Sequence, residues 1–247
     1  MKGLSLQSVL MGSINLLYKA KTQCDAGDTS SAYVDQAWAL FAAPKGPIAL
    51  GEKRCPQFGT CEAADSGAGV SAANTRILAG FLAAQTAAAA GECAALLTQI
   101  ETVIVPQAYV PIIQGLYREA WEVDESMSHV HFGADGFVEL VEGWAFAMAV
   151  LPRIAACDAA VAATVVSNMR MRTDASDPAM VADGYAAVIA AVETTYACLG
   201  ITCADVRAMS SDASHLGTAA GSFKGPPLWN VCDDTQGGTA TTSGTAR

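Results

Sequence analysis

The chain repeats itself once, in order, and this constrains its architecture more than any single motif. Val34-Asp35-Gln36-Ala37-Trp38-Ala39-Leu40-Phe41, with Pro44-Lys45 after it, matches Leu140-Val141-Glu142-Gly143-Trp144-Ala145-Phe146-Ala147, with Pro152-Arg153 after it. Asn74-Thr75-Arg76-Ile77 matches Asn168-Met169-Arg170-Met171, and Ala94 to Thr102 matches Ala186 to Thr194. The spacing between matched segments shrinks along the chain while their order is kept. Two related helical halves, the second with shorter loops, would produce this pattern. On that reading Trp38 and Trp144, Asn74 and Asn168, and Glu101 and Glu193 occupy equivalent positions.

The expected fold is all-α, because alanine is abundant, aromatics are few and no segment alternates convincingly as a strand. Apolar residues at helical spacing predict helices over 4–21, 31–43, 71–90, 92–105, 112–125, 137–150, 152–172 and 181–198. Gly27-Asp28-Thr29-Ser30 supplies a break and a cap between the first two. Pro106 and Pro111 punctuate the middle of the chain, Pro152 suits the first turn of a helix, and Gly200 suits a helix end. Residues 44–69, rich in Gly and Pro, read as a long connection. The result is a bundle of roughly eight helices in two pseudo-symmetric halves, stabilised by disulfides. Residues 1–209 would form one domain, with repeat one near 30–115 and repeat two near 136–205. Residues 210–247 read as an irregular, partly disordered tail.

Charge and cysteine usage narrow the class. A net charge of −10 argues against nucleic acid, whose phosphates require Lys and Arg. No uninterrupted apolar stretch reaches the ~20 residues that span a bilayer, so no transmembrane segment is expected. Residues 3–17 read as a first amphipathic helix rather than an address signal. Eight cysteines occur without a C-x-x-C pair, against a zinc ribbon or thioredoxin-type site. Cys55-Pro-Gln-Phe-Gly-Thr-Cys61 suits a small disulfide loop, and Cys198-Leu-Gly-Ile-Thr-Cys203 looks similar. Disulfides would place the chain in an oxidising compartment.

The densest polar constellation runs from Arg118 to Glu142. Glu119 and Glu122 share a helix face at i, i+3, and Glu139 and Glu142 do the same on the next helix. His129 and His131 lie between them, with Asp135 close by in sequence. Two carboxylate pairs on antiparallel helices, with imidazoles in the connection, can ligate iron, manganese or zinc. The competing reading is a set of solvated helix faces. Glu142 matches Gln36 and Glu139 matches Tyr33, so a single asymmetric site is expected in the second half. The Glu-x-x-His pairs of di-iron bundles are absent, as are a G-x-S-x-G elbow and a Walker A loop. Nothing points to an enzyme. Arg76 and Arg170 are expected to bind helix ends or buried carboxylates, and Trp38 and Trp144 to pack the core.

Several segments resemble one family. Asp35-Gln36-Ala37-Trp38-Ala39-Leu40-Phe41 is similar to a D-E-G-W-A-x-Y segment. Lys53-Arg54 with Phe58-Gly59-Thr60 is similar to K-R-x-x-x-F-G-T. Val110-Pro111-Ile112-Ile113-Gln114-Gly115 with Arg118 is similar to V-P-x-x-Q-G-x-x-R. Glu142-Gly143-Trp144-Ala145-Phe146 with Leu151-Pro152 is similar to E-G-x-A-F and L-P, and Tyr196 to Cys203 resembles a final cysteine segment. In this order they resemble the iron-assimilating, high-CO2-inducible (low-iron-inducible) periplasmic proteins of algae, over roughly residues 5 to 205. The resemblance implies secretion to the periplasm or cell surface, a role in iron acquisition and no established catalytic activity. Gln36 departs from the family's Glu. The expectation is therefore an iron-binding protein of iron assimilation, with Glu119, Glu122, His129, His131, Glu139 and Glu142 as metal ligands and the oxidation state of the iron open. Its partners would be the metal ion and cell-surface or wall components. The alternative is a cell-surface or extracellular interaction module with no metal of its own.

Overall fold

A computed structural model describes residues 2–44, 46–62, 69–124, 134–171 and 180–209, with side chains described from Leu6 onward and, in the helix that opens at Ala134, from Leu140. The expected all-α class is what the chain adopts. The helices are α1 (Lys2–Asp25), α2 (Ala32–Phe41), α3 (Pro47–Phe58), α4 (Ala72–Ala89), α5 (Cys93–Gln99), α6 (Val105–Val123), α7 (Ala134–Cys157), α8 (Ala159–Met169), α9 (Tyr185–Glu193), α10 (Tyr196–Leu199) and α11 (Cys203–Val206). Two short strands, β1 (Cys61–Glu62) and β2 (Val70–Ser71), pair antiparallel with Cys61 opposite Ser71. The sequence reading contained no strand, because two residues are too few to show alternation.

Helix α1 is amphipathic as expected. Leu6, Leu10, Ile14, Leu17, Ala20 and Cys24 form its buried stripe. Ser13 sits on the same stripe and donates from Oγ to the Ala37 carbonyl at 2.8 Å, which ties α1 to α2 without leaving a buried hydroxyl unsatisfied. Helix α6 is the central element. Almost every residue along it is buried, and α3, α4, α7, α9 and α11 all pack on it. Its buried polar residues, Gln107, Gln114 and Glu119, are therefore ones that must find partners inside the fold.

Four boundaries depart from the sequence reading. Residues 47–58 are helical, not a connection. Pro47 stands at the helix start, Gly59 ends it in the left-handed conformation (φ 60°), and Gly51, Arg54, Cys55 and Phe58 are buried at helical spacing. Two of those buried positions are Gly and Arg, so hydrophobic periodicity could not register them. Pro106 and Pro111 do not break the middle helix either. A wide π-turn over Ile100–Ile104 joins α5 to α6, and it includes Thr102, whose carbonyl the Pro106 ring would meet in regular α geometry. Pro152 lies inside α7, and the break comes at Asp158, whose Oδ1 accepts from the amides of Ala160 (2.8 Å) and Val161 (3.2 Å) to cap α8. The segment 181–198 divides into α9 and α10, with Gly200 ending the second as expected (φ 75°).

Cys93–Val123 and Leu140–Cys157 are long and apolar enough to cross a bilayer by length and composition, since the prolines do not interrupt them. The first is 67% buried inside the fold, as a core helix is.

Three disulfides join described residues: Cys24–Cys93, Cys55–Cys61 and Cys157–Cys198. The Cys55–Cys61 loop is the expected one. Cys198 does not pair with Cys203. It reaches back to α7, and Cys203, at the start of α11, is disulfide-bonded elsewhere. The repeat also fails at one of its marker pairs. Asn74 lies in the first turn of α4, donating from Nδ2 to the Ile48 carbonyl at 2.8 Å. Asn168 lies in the last turn of α8 and bonds Asp183. The two asparagines therefore hold different helix positions, and the expected equivalence does not extend to them.

Candidate functional site

The carboxylates expected to form a site lie where α6 and α7 cross. Two glycines permit the close approach. A Cβ on Gly115 of α6 would sit 2.8 Å from the Phe146 ring of α7, and one on Gly143 of α7 would sit 3.1 Å from the Glu119 Cβ of α6. Each helix thus offers a glycine to a side chain of the other. The antiparallel register that follows puts the Glu139 and Glu142 turns of α7 level with the Glu119 and Glu122 turns of α6.

Glu119 is fully buried and carries two guanidinium groups. Arg54 of α3 donates from Nη2 to Glu119 Oε1 at 2.8 Å, and Arg118 donates from Nη1 to the same oxygen at 3.0 Å. Arg118 also donates from Nη2 to Glu122 Oε1, so Glu119 and Glu122 are bridged by the arginine beside them. Arg54 is itself wholly buried. Its Nη1 donates to Gln57 Oε1 at 3.0 Å, and its guanidinium lies 5.2 Å from the centre of the Phe146 ring. Burial pushes the Arg54 guanidinium below its ordinary value, and the charge of Glu119 pulls it back up. An arginine so paired remains charged at neutral pH. Among the described residues, Arg54 and Arg118 thus pair with Glu119 and Glu122 in a site largely closed to water. Both guanidinium groups bond the same Glu119 oxygen, Oε1, whereas Glu122 and Glu142 lie nearer the surface.

The remaining expected ligands divide in two ways. Glu142 is half-buried on α7. Glu139 belongs to the α7 backbone, but its side chain, with His129 and His131, lies outside the described residues, as does the C-terminal His215. Among the described residues no group of three or more His, Cys, Asp or Glu side chains is placed to hold a metal ion.

Sequence reasoning missed several residues that organise this region. Arg54 stood in a segment read as a connection, and its one signal was its place in the Lys53-Arg54 segment of the resemblance, which gave it no role in the site. Asp124, buried at the end of α6, accepts at Oδ2 from the Tyr185 amide at 2.9 Å and so caps α9 from a distant part of the chain. Gln114, also buried, donates to Thr60 Oγ1 (3.1 Å) and to the Val206 carbonyl (3.0 Å), fastening the α3 end and α11 to α6. Tyr117 and Tyr196 share a hydrogen bond of 2.8 Å between buried hydroxyls. Arg76 takes the structural role expected of it, pairing with Asp205 of α11.

Comparison with family models, with curated proteins and with solved structures yields no match for this chain.

Proposed function

We propose that the chain is a secreted or periplasmic iron-binding protein acting in iron assimilation, holding the ion through the carboxylate-rich end of the α6–α7 pair. One observation carries the reading. Three segments that bear the family resemblance, Lys53-Arg54, Val110 to Arg118 and Glu142 to Phe146, come from three helices and converge on Glu119. Arg54 bonds it, Arg118 bonds it, and Gly143 packs against its Cβ. In this proposal Glu119 is the buried electrostatic anchor. Glu122, Glu139 and Glu142 face the ion, and His129 and His131 complete its coordination. The three disulfides support an oxidising compartment.

Calorimetric titration with iron under controlled redox conditions tests the proposal. Saturable binding to the wild-type chain, lost in the Glu139→Ala/Glu142→Ala variant, is the expected result. Absence of saturable binding, or binding indifferent to that variant, overturns it.

The neutralisation of Glu119 and Glu122 by Arg54 and Arg118 favours a second reading, a cell-surface or extracellular interaction module without a metal of its own. Protein purified free of metal from its native source, together with capture of wall or surface components, would support that alternative.

A further inference from the structure

A small trough between α2 and α4, built by helices other than those of the Arg54–Glu119 cluster, joins an apolar lining to a fixed carboxylate. Its volume is about 140 Å³. That is close to the volume of a dry cavity that accepts a benzene-sized molecule, and well below a typical cofactor pocket. On α2, Asp35 and Trp38 stand three residues apart and share a face. On α4, Leu78, Leu82 and Gln85 repeat at i, i+4 and i+7 and form the facing wall. Phe81 is buried at the floor and meets the Trp38 ring edge to face, with ring centres 5.3 Å apart.

The walls are open to a ligand. Leu78 is 43% exposed and Leu82 is 56% exposed, so two large apolar side chains flank the same opening in water. Asp35 stands at the rim with its orientation fixed. Gln85 Nε2 donates to Oδ1 at 2.7 Å, and Ser31 Oγ donates to Oδ2 at 3.1 Å. A carboxylate has about four acceptor positions, so these two bonds leave it able to accept from a further donor. An aromatic ring beside a carboxylate favours a cation, and the net charge of −10 raises the local concentration of cations.

We propose that this trough binds a compact alkylammonium group, its apolar stem against Trp38, Leu78 and Leu82 and its ammonium on Asp35. The size and polarity of the trough suit a chain of about four carbons. A neutral isostere retains the apolar contact and loses the charge contact. An anionic isostere meets repulsion at the rim.

The probe is n-butylammonium, titrated into the full chain while the Trp38 indole N–H is followed by NMR, with 1-butanol and butyrate as controls. A saturable shift with n-butylammonium, a weaker one with butanol and none with butyrate are expected. Asp35→Asn, which keeps the shape of the rim and removes its charge, should weaken n-butylammonium about fivefold and leave butanol unchanged. Leu82→Ala should weaken both. Both substituted residues are exposed, so the variants should keep the wild-type circular dichroism spectrum. The proposal is overturned if the Trp38 signal does not saturate with n-butylammonium, if Asp35→Asn leaves its affinity unchanged, or if butyrate binds equally well.

Discussion

Arg54 and Glu119 stand 65 residues apart in the chain and meet at 2.8 Å with neither side chain exposed to solvent. Taking two such charges out of water is costly, and their attraction offsets the cost only while both are present. The two partners are not equivalent. Glu119 also accepts from Arg118, whereas Arg54 otherwise meets the amide of Gln57 and the face of Phe146. Glu119→Gln leaves a buried guanidinium without its carboxylate and should destabilise the fold by about 3–5 kcal/mol. Arg54→Met should cost less, and the double variant less than the two single changes added. Urea unfolding of the three variants gives the ranking. Equal, additive losses would show that the pair is not coupled.

Gly115 and Gly143 set the distance between α6 and α7. Ala at position 115 would drive its Cβ into the Phe146 ring, which also stacks on Arg54 and has little freedom to retreat. Gly115→Ala should cost about 1–3 kcal/mol through overpacking, despite its higher helix propensity. Gly143→Ala meets the mobile end of Met169 but also the Glu119 Cβ, so it should loosen the buried ion pair as well. Comparing thermal midpoints of the two variants, alone and combined with Arg54→Met, measures that coupling.

The disulfides should differ in worth by loop length. Cys24–Cys93 and Cys157–Cys198 close separations of 69 and 41 residues, while Cys55–Cys61 closes only 6. In the chain-entropy account the two long loops are each worth about 4 kcal/mol and the short one about 2 kcal/mol. Paired Cys→Ser variants, compared by denaturant midpoint, should follow that order. A larger loss at Cys55–Cys61 would mean that this short bridge acts chiefly by holding the end of α3, and Arg54 with it.

The Tyr117–Tyr196 pair predicts alkaline sensitivity. Burial, foremost, holds both phenols well above their ordinary value of 10.0, and Glu193 nearby adds to the effect. Below about pH 10 both tyrosines are protonated in the folded and the unfolded chain, and their contribution is intact. Above it, the unfolded chain ionises first. Stability then falls as pH rises toward the folded-state values. Unfolding free energy measured from pH 8 to 11 should decline above 10, and less steeply in Tyr117→Phe. A decline of unchanged slope in that variant would assign the effect to other groups.

The periodic stripe of Leu6, Leu10, Ile14 and Leu17 was legible because an amphipathic helix records its buried face in its own spacing. The same local logic foresaw α2, α4, the Gly200 stop and the Cys55–Cys61 loop. It placed Glu119 and Glu122 on one helix face and directed attention to the α6–α7 crossing. These features depend on neighbours a few residues apart, and the chain carries that information directly.

What depended on distant neighbours was decided only by the tertiary structure. Helix α3 buries Gly51 and Arg54 where a pattern of apolar residues predicts none, because a packed backbone and a paired charge replace the missing hydrophobes. Pro111 and Pro152 remain inside helices because the surrounding packing outweighs local preference, and Pro106 is accommodated at the start of α6 by the π-turn before it. Cys198 pairs with Cys157 rather than Cys203, since a disulfide follows the proximity of folded Cα atoms, here 5.8 Å, rather than closeness in sequence. Glu119 looks like one of several available carboxylates until Arg54 arrives from another helix. Its burial and its charge balance are properties of that three-dimensional contact, and no local pattern encodes them.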